Sequence, residues 1–269
     1  MLHMFKLSGM LFLFLLTSIS QAETMVLIHG YLSNSKSWRE DNLRQPLFKS
    51  GWVDGGNYSS SKQGVLTPST QRLKQKGKVF YTVDLPYDAA IEHQAMVLGA
   101  YLHHLYSQRK EPLILVGHSV GGIVARAYIT MKNTQPVKIL VSIATPHLGT
   151  PVAKLSKIAA KTPLNIASRI MGAKNLKQSL PIFFDIREES QEKAGYLYWL
   201  NHHQHPAIRY FSIVRDNKSL RKFDFVVPPF SQDMNNVWAL KGQSTVVISK
   251  GNHFLNKRDM MIIADIVQG

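Results

Sequence analysis

The stretch from residue 113 to residue 126 constrains this chain more than any other. Four apolar residues, Leu113–Val116, predict a buried strand that runs into the pentapeptide GHSVG, and the apolar residues after it favour a helix packed on a sheet. A strand, a sharp turn with a central serine and a helix together form the local structure that exposes a nucleophilic serine. Gly117 and Gly121 lack the Cβ atom that would collide in so tight a turn. The sequence therefore predicts Ser119 as a nucleophile, for which the rest of the chain has to supply a base, an acid and an oxyanion hole.

Short apolar runs alternate with segments of helical periodicity along much of the chain. Strands are predicted at 24–28, 79–83, 113–116, 137–144, 208–214 and 245–248. Helices are favoured at about 37–48, at 88–109 with Asp88 as the N-cap, and at about 256–267, whereas the Gly- and Ser-rich residues 51–70 predict a loop. The alternation indicates the α/β class, with a mostly parallel central sheet flanked by helices on both faces.

The first 22 residues have the features of a secretory leader. Lys6 precedes the apolar run Met10–Leu16, and Ser20-Gln21-Ala22 places small residues where a signal peptidase cleaves. We therefore expect a signal peptide at 1–22, export to the periplasm or medium, and a single domain over 23–269; an uncleaved anchor is the alternative. The chain contains no cysteine, which excludes disulfides and a cysteine nucleophile.

The strand–helix alternation stops between about residues 151 and 205, which we predict to be a helical cap or lid inserted above the sheet. From 151 to 184 the segment carries lysines and arginines among apolar side chains and no acidic residue, and the whole chain has a formal charge of +15. Such a segment favours peripheral contact with an anionic membrane surface, although a solvated cap that only covers the core is an equal alternative. The sequence contains no recognisable nucleic-acid module, so nucleic acid is not an expected partner.

Three histidines at the end of this segment, His202, His203 and His205, resemble a metal-binding tract. No carboxylate that could complete a metal site lies close by in the sequence. We expect these histidines in an exposed loop, and the sequence predicts neither a metal nor a cofactor.

The first predicted strand ends at His29-Gly30-Tyr31. Because ligands bind at the carboxyl ends of parallel strands, a glycine here lets the backbone approach a substrate oxygen. We expect the tetrahedral oxyanion to be held by the backbone N–H groups of Val120 and Tyr31.

A serine nucleophile at such a turn is followed along the chain by the acid and then by the histidine. His253 comes shortly after the predicted strand at 245–248, whereas His147 has no acidic residue between it and Ser119. Asp216, Asp224 and Asp233 have the right order for the acid. We favour Asp224, because the apolar residues after it can fix its loop to the core, and place Asp216 second.

Five segments together resemble the α/β-hydrolase lipases, and bacterial triacylglycerol lipases and esterases in particular: Ile28–Tyr31, Gly117–Gly122, Ala144–Thr150, Asp224–Pro228 and Gly251–His253. The resemblance implies an α/β-hydrolase fold with Ser119, Asp224 and His253 as the catalytic triad and Tyr31 as an oxyanion donor. Phe225 replaces the glycine that many of these lipases have after the catalytic aspartate. The short N-terminus also implies a reduced sheet that lacks the early antiparallel strands.

The combined prediction is an exported serine esterase or lipase that hydrolyses carboxylic esters of acyl lipids through an acyl-enzyme intermediate. A phospholipase or a lipid acyltransferase would use the same triad. An amidase or peptidase, and a non-catalytic binding protein with a hydrolase-like fold, are the remaining alternatives.

Overall fold

The computed structural model describes residues 23–151, 195–215 and 224–268. The predicted leader at 1–22 and most of the predicted cap lie outside the described residues, as does Asp216.

Apolar residues occupy consecutive positions in the central strands because helices cover both faces of the sheet. The strands are β1 (Glu23–Ile28), β2 (Val53–Ser61), β3 (Gly64–Leu66), β4 (Lys78–Val83), β5 (Leu113–His118), β6 (Val137–Ile143), β7 (Arg209–Arg215) and β8 (Ser244–Ser249). They form one eight-stranded sheet in the order β3-β2-β4-β1-β5-β6-β7-β8. Among the described strands, neighbours run parallel except for the β2–β3 pair. The predicted mostly parallel sheet is therefore confirmed.

The helices are α1 (Asp41–Lys49), α2 (Thr70–Leu73), α3 (Ile91–Arg109), α4 (Val120–Ile129), α5 (Tyr196–His202), α6 (Pro229–Gln232) and α7 (Lys257–Gln268). Short 3-10 turns lie at Ser35–Trp38, Met234–Asn236 and Trp238–Leu240. Helices α3, α4 and α5 enclose the core on one face of the sheet, and α1 and α7 enclose the core on the other. Within the described ranges no helix is both long and apolar enough to cross a membrane.

The predicted loop at 51–70 is wrong, because most of it forms β2 and β3. Strand β2 pairs with β4, with Val53 opposite Val79 and Tyr58 opposite Val83. A Cβ atom at Gly55 would lie 2.4 Å from the ring of Tyr81, so glycine is needed for the strand to pass that ring. Pairing with a buried neighbour has outweighed the low strand propensity of this segment. The expected reduced sheet is also wrong, since these two strands bring the sheet to eight.

Two predicted helix starts also differ from the structure. Asp88 does not cap α3: residues 86–89 form a turn closed by the Ala89 N–H and the Pro86 carbonyl, and the helix begins at Ile91 after Ala90. The predicted helix at 37–48 is divided into the 3-10 turn Ser35–Trp38 and α1. Both segments were thus correctly predicted as helical, whereas the positions of the helix ends depend on local turns.

Candidate active site

The turn between β5 and α4 holds Ser119 in a backbone conformation that few non-glycine residues adopt. Its φ is +52° and its ψ is −129°. Such geometry costs on the order of 1–3 kcal/mol and persists only where surrounding contacts impose it. The Ser119 N–H donates to the Ile143 carbonyl over 2.8 Å, which ties the turn to the end of β6. The serine is thereby held at the carboxyl edge of the sheet.

Glycines surround this turn because backbone segments meet there without room for side chains. A Cβ atom on Gly121 would lie 2.4 Å from the His29 carbonyl oxygen, and one on Gly117 would lie 2.4 Å from the Gly122 nitrogen. A Cβ atom on Gly30 would lie 2.9 Å from the Ser119 Cβ. The β1 loop therefore lies directly against the serine, as its position in the sequence predicted.

The structure brings Ser119, His253 and Asp224 into one chain of hydrogen bonds. Ser119 Oγ lies 2.9 Å from His253 Nε2, and His253 Nδ1 lies 3.0 Å from Asp224 Oδ2. Because the carboxylate can only accept, Nδ1 carries the proton and Nε2 is left to accept the serine proton. Ser119 is 7% exposed and Asp224 is 1% exposed. This is the geometry of a nucleophile, a general base and an orienting acid.

Asp224 is held by donors on both carboxylate oxygens. The N–H groups of Val226 and Val227 each donate to Oδ1 over 2.9 Å, and the Gln232 side chain donates to Oδ2 over 3.0 Å. Three donors besides His253 fix the plane of the carboxylate and thus the direction from which it meets the imidazole. Asp233, by contrast, accepts from the N–H of Asn235 and serves as a turn cap. Gln232 could not be predicted from the sequence, since only the fold brings it to Asp224.

The loop that carries His253 is fixed by two buried side chains from other strands. His118 Nε2 donates to the His253 carbonyl over 2.7 Å, and Arg215 Nη2 donates to the Phe254 carbonyl over 2.9 Å. Arg215 is itself paired with Asp259 of α7, both side chains being fully buried. Burial and the neighbouring His253 hold the pKa of His118 well below its ordinary value, so His118 is neutral. These contacts join residues far apart in the chain, so they could not be predicted from the sequence.

The two predicted oxyanion donors flank Ser119. Val120 is the first residue of α4, where N–H groups have no partner within the helix and carry its positive end. Tyr31 follows Gly30, which lies against the serine, and its half-buried ring meets the edge of Tyr87 at 6.0 Å. The structure thus places both residues beside Ser119.

The predicted exposed loop for His202, His203 and His205 is wrong, because His202 is the last residue of α5 and none of the three side chains is exposed. His205 is 8% exposed, and its Nε2 accepts from the buried guanidinium of Arg126 while its Nδ1 donates to the His203 carbonyl. Both ring nitrogens are therefore used. His202 stacks between Tyr198 and Trp238, with ring centroids 4.1 and 5.4 Å away.

Arg126 joins α4, the loop after β6 and the region after α5. Its Nη1 donates to His147 Nδ1 and its Nη2 to the Asn201 side-chain carbonyl. Burial, reinforced by the positive charge of Arg126, lowers the pKa of His205 to about 3 and that of His147 well below its ordinary value. Both ring nitrogens of His147 are occupied, Nδ1 by Arg126 and Nε2 by the Ser142 hydroxyl 2.9 Å away.

Sequence comparison identifies the family of this chain. A family model described as the PGAP1-like alpha/beta domain matches residues 21–162, more than half of the chain. The chain belongs to the PGAP1-like α/β family. The matched range includes Ser119 and Tyr31, while Asp224 and His253 lie beyond it.

Curated relatives of this PGAP1-like chain are much longer proteins. A protein named GPI inositol-deacylase from Coccidioides immitis is 33% identical, the match covering 36% of this chain and 12% of the relative. A mouse protein of the same name is 41% identical over 19% of this chain and 6% of its own length. This chain thus spans about an eighth of the length of the fungal relative.

Solved structures similar to this PGAP1-like protein include bacterial lipases and esterases. The mature form of a Bacillus licheniformis lipase has a TM-score of 0.60 at 15% identity, with 91% of each chain covered. The Legionella pneumophila phospholipase PlaB has a TM-score of 0.53 at 12% identity, covering 79% of this chain and 45% of that one. The predicted α/β-hydrolase fold and the resemblance to bacterial lipases and esterases are confirmed.

Proposed function

We propose that this PGAP1-like protein is an exported serine esterase that hydrolyses carboxylic esters of acyl lipids. The observation that carries the proposal is the hydrogen-bonded chain from Ser119 Oγ through His253 to Asp224 at the edge of an α/β-hydrolase sheet. A non-catalytic binding protein would have no need for a serine in a strained backbone conformation whose hydroxyl contacts a histidine.

In the proposed reaction, Ser119 Oγ attacks the ester carbonyl carbon while its proton passes to His253 Nε2. Asp224 stabilises the imidazolium, and the N–H groups of Tyr31 and Val120 receive the negative charge that develops on the carbonyl oxygen. Collapse of the tetrahedral intermediate breaks the ester bond, and the departing alcohol takes the proton from His253. Water then attacks the carbonyl carbon of the acylated serine, with His253 again accepting and returning the proton, and the fatty acid is released.

The names of the relatives and the basic character of the chain support a lipid substrate. Relatives named GPI inositol-deacylase suggest removal of an ester-linked acyl group from the head group of a membrane lipid. The net charge of +15, with a basic segment at 151–184, favours peripheral contact with an anionic membrane surface. Residues 1–22 would serve as the signal peptide that directs export. A phospholipase or a lipid acyltransferase would use the same residues, and analysis of the released products distinguishes them.

The test is a chain-length series of p-nitrophenyl esters with the wild type, Ser119→Ala and Ser37→Ala. We expect Ser119→Ala to lose on the order of 10⁴-fold or more in kcat. Ser37, whose hydroxyl bonds the Asn34 carbonyl on the surface, is the matched control and should behave as wild type. A fluorophosphonate probe should label the wild type and not Ser119→Ala. Equal activity in all three proteins would overturn the proposal.

Membrane contact is tested separately by vesicle sedimentation. We expect the protein to bind vesicles that contain phosphatidylglycerol and to be released by about 0.5 M salt, because screening weakens charge attraction at a surface. Binding that is independent of both salt and anionic lipid would contradict a charge-driven contact.

A further inference from the structure

His29 is a buried histidine next to the nucleophile that the proposed reaction does not use. It is 2% exposed. Its Nε2 accepts a hydrogen bond from the Leu85 N–H over 3.0 Å, and its Nδ1 lies 2.8 Å from the Gly30 carbonyl oxygen. A backbone N–H can only donate and a carbonyl can only accept, so the proton must be on Nδ1. The two contacts therefore fix one neutral tautomer, consistent with burial lowering the pKa of His29.

The contact with the Gly30 carbonyl also fixes the direction of the next peptide N–H. The described residues contain no cis peptide bond, so the Gly30 carbonyl and the Tyr31 N–H point in opposite directions from the same plane. With the carbonyl turned to the His29 ring, the Tyr31 N–H must point away from that ring. Gly30 itself lies against Ser119, since a Cβ atom there would be 3.4 Å from Ser119 Oγ.

Packing fixes both the backbone and the ring of His29. The His29 carbonyl oxygen lies so close to α4 that a Cβ atom on Gly121 would be 2.4 Å away. On the other side, the ring is held by the Leu85 N–H at the end of β4. The histidine is thus fixed between α4 and the loop after β4. Its hydrogen bond to the Gly30 carbonyl therefore restrains the Gly30–Tyr31 peptide.

We propose that His29 is a positioning residue that sets the orientation of the Gly30–Tyr31 peptide, so that the Tyr31 N–H is directed to the oxyanion before substrate binds. The inference rests on the proposed function. A glycine at position 30 leaves that peptide free to rotate, and an oxyanion donor is effective only when its orientation is fixed in advance. The hydrogen bond from His29 Nδ1 supplies the restraint that the glycine lacks.

Two amide substitutions separate this role from a structural one. The amide nitrogen of His29→Asn lies near the position of Nδ1 and can donate to the Gly30 carbonyl, but it cannot reach Leu85. The amide oxygen of His29→Gln reaches the Leu85 N–H, but nothing remains to donate to Gly30. Each variant keeps one of the two contacts, so both should lose similar amounts of unfolding free energy.

We expect His29→Gln to lower kcat about 10- to 100-fold at unchanged KM, because one oxyanion donor alone accounts for about 10²–10³ in kcat. His29→Asn should keep kcat within about threefold of wild type. The affinity for a trifluoromethyl ketone, whose adduct with Ser119 places an oxyanion in the same position, should fall in parallel with kcat. All activities are measured well below the Tm of each variant.

Equal losses of kcat in the two variants, or an unchanged affinity of His29→Gln for the ketone, would overturn the positioning role. If His29→Gln does not fold, a folded His29→Asn with strongly reduced kcat would also contradict it. A wild-type protein that neither hydrolyses esters nor binds the ketone would instead overturn the proposed function, and this inference with it.

Discussion

His118 and His253 are joined by a 2.7 Å hydrogen bond from the His118 ring to the His253 backbone carbonyl. The residue before Ser119 thus fixes the backbone of the histidine whose Nε2 contacts Ser119 Oγ. The ring centroids of the two histidines are 5.3 Å apart. The end of β5 therefore carries both Ser119 and the side chain of His118 that holds the His253 loop in place.

Replacing His118 should disturb catalysis through the His253 loop. His118→Leu removes the donor, and we expect kcat to fall by about tenfold and the free energy of unfolding by about 1–3 kcal/mol. His118→Gln can still donate from its amide nitrogen near the former Nε2, so it should retain more of both. Steady-state kinetics and urea unfolding measure the two quantities. A glutamine variant as slow as the leucine variant would show that the hydrogen bond is not responsible.

Asp224→Asn tests the identity of the acid. The neutral amide cannot stabilise the imidazolium, and an NH2 group in place of Oδ2 would donate to His253 Nδ1 and favour the wrong tautomer, so we expect kcat to fall by about 10⁴-fold. Asp233→Asn is the matched control, because Asp233 caps the turn at Asn235. Asp216→Asn should also be active. Activity that survives in Asp224→Asn and disappears in Asp216→Asn would transfer the role to Asp216.

Gly121→Ala tests the close packing beneath Ser119. The new methyl group would lie 2.4 Å from the His29 carbonyl oxygen and 2.6 Å from that of Ile28, and neither backbone atom can move easily. We expect a loss of about 3 kcal/mol in unfolding free energy. Gly99→Ala on α3 meets only the ring of Tyr128, at 3.3 Å, and should change stability by less than about 1 kcal/mol. Similar losses in both variants would contradict the packing argument.

The buried histidines should make the protein less stable in mild acid. The pKa values of His29, His118 and His147 are lowered by burial, and that of His205 is lowered to about 3. Below pH 6.5 the unfolded chain therefore binds protons that the folded chain does not. Stability present above pH 6.5 is lost as the pH falls, by up to about 1.4 kcal/mol per pH unit for each such histidine.

Urea unfolding between about pH 7.5 and pH 4.5 measures this dependence. His205→Gln removes one of the four groups and should flatten the slope by about one histidine's contribution. An unchanged slope in that variant, or a wild type that becomes more stable as the pH falls, would refute the assignment.

Short-range features of the chain were sufficient to predict part of the site. The apolar run before Gly117 and the spacing of glycines around Ser119 are local, and the steric limits of a sharp turn act on adjacent residues. The order of strands along the chain then predicted His253 as the base, since few histidines follow a strand late in the sequence. The α/β class followed from the same local periodicity.

Other features were decided only by tertiary structure. Strand β2 exists because β4 pairs with it, and its Gly- and Ser-rich sequence has little strand propensity of its own. Gln232 at Asp224, His118 at the His253 carbonyl and the buried pair Arg215–Asp259 are hydrogen bonds between distant segments. Local sequence determines which backbone conformations a segment can adopt. Which donor reaches which acceptor depends on how the strands align, and that is settled only when the sheet has assembled.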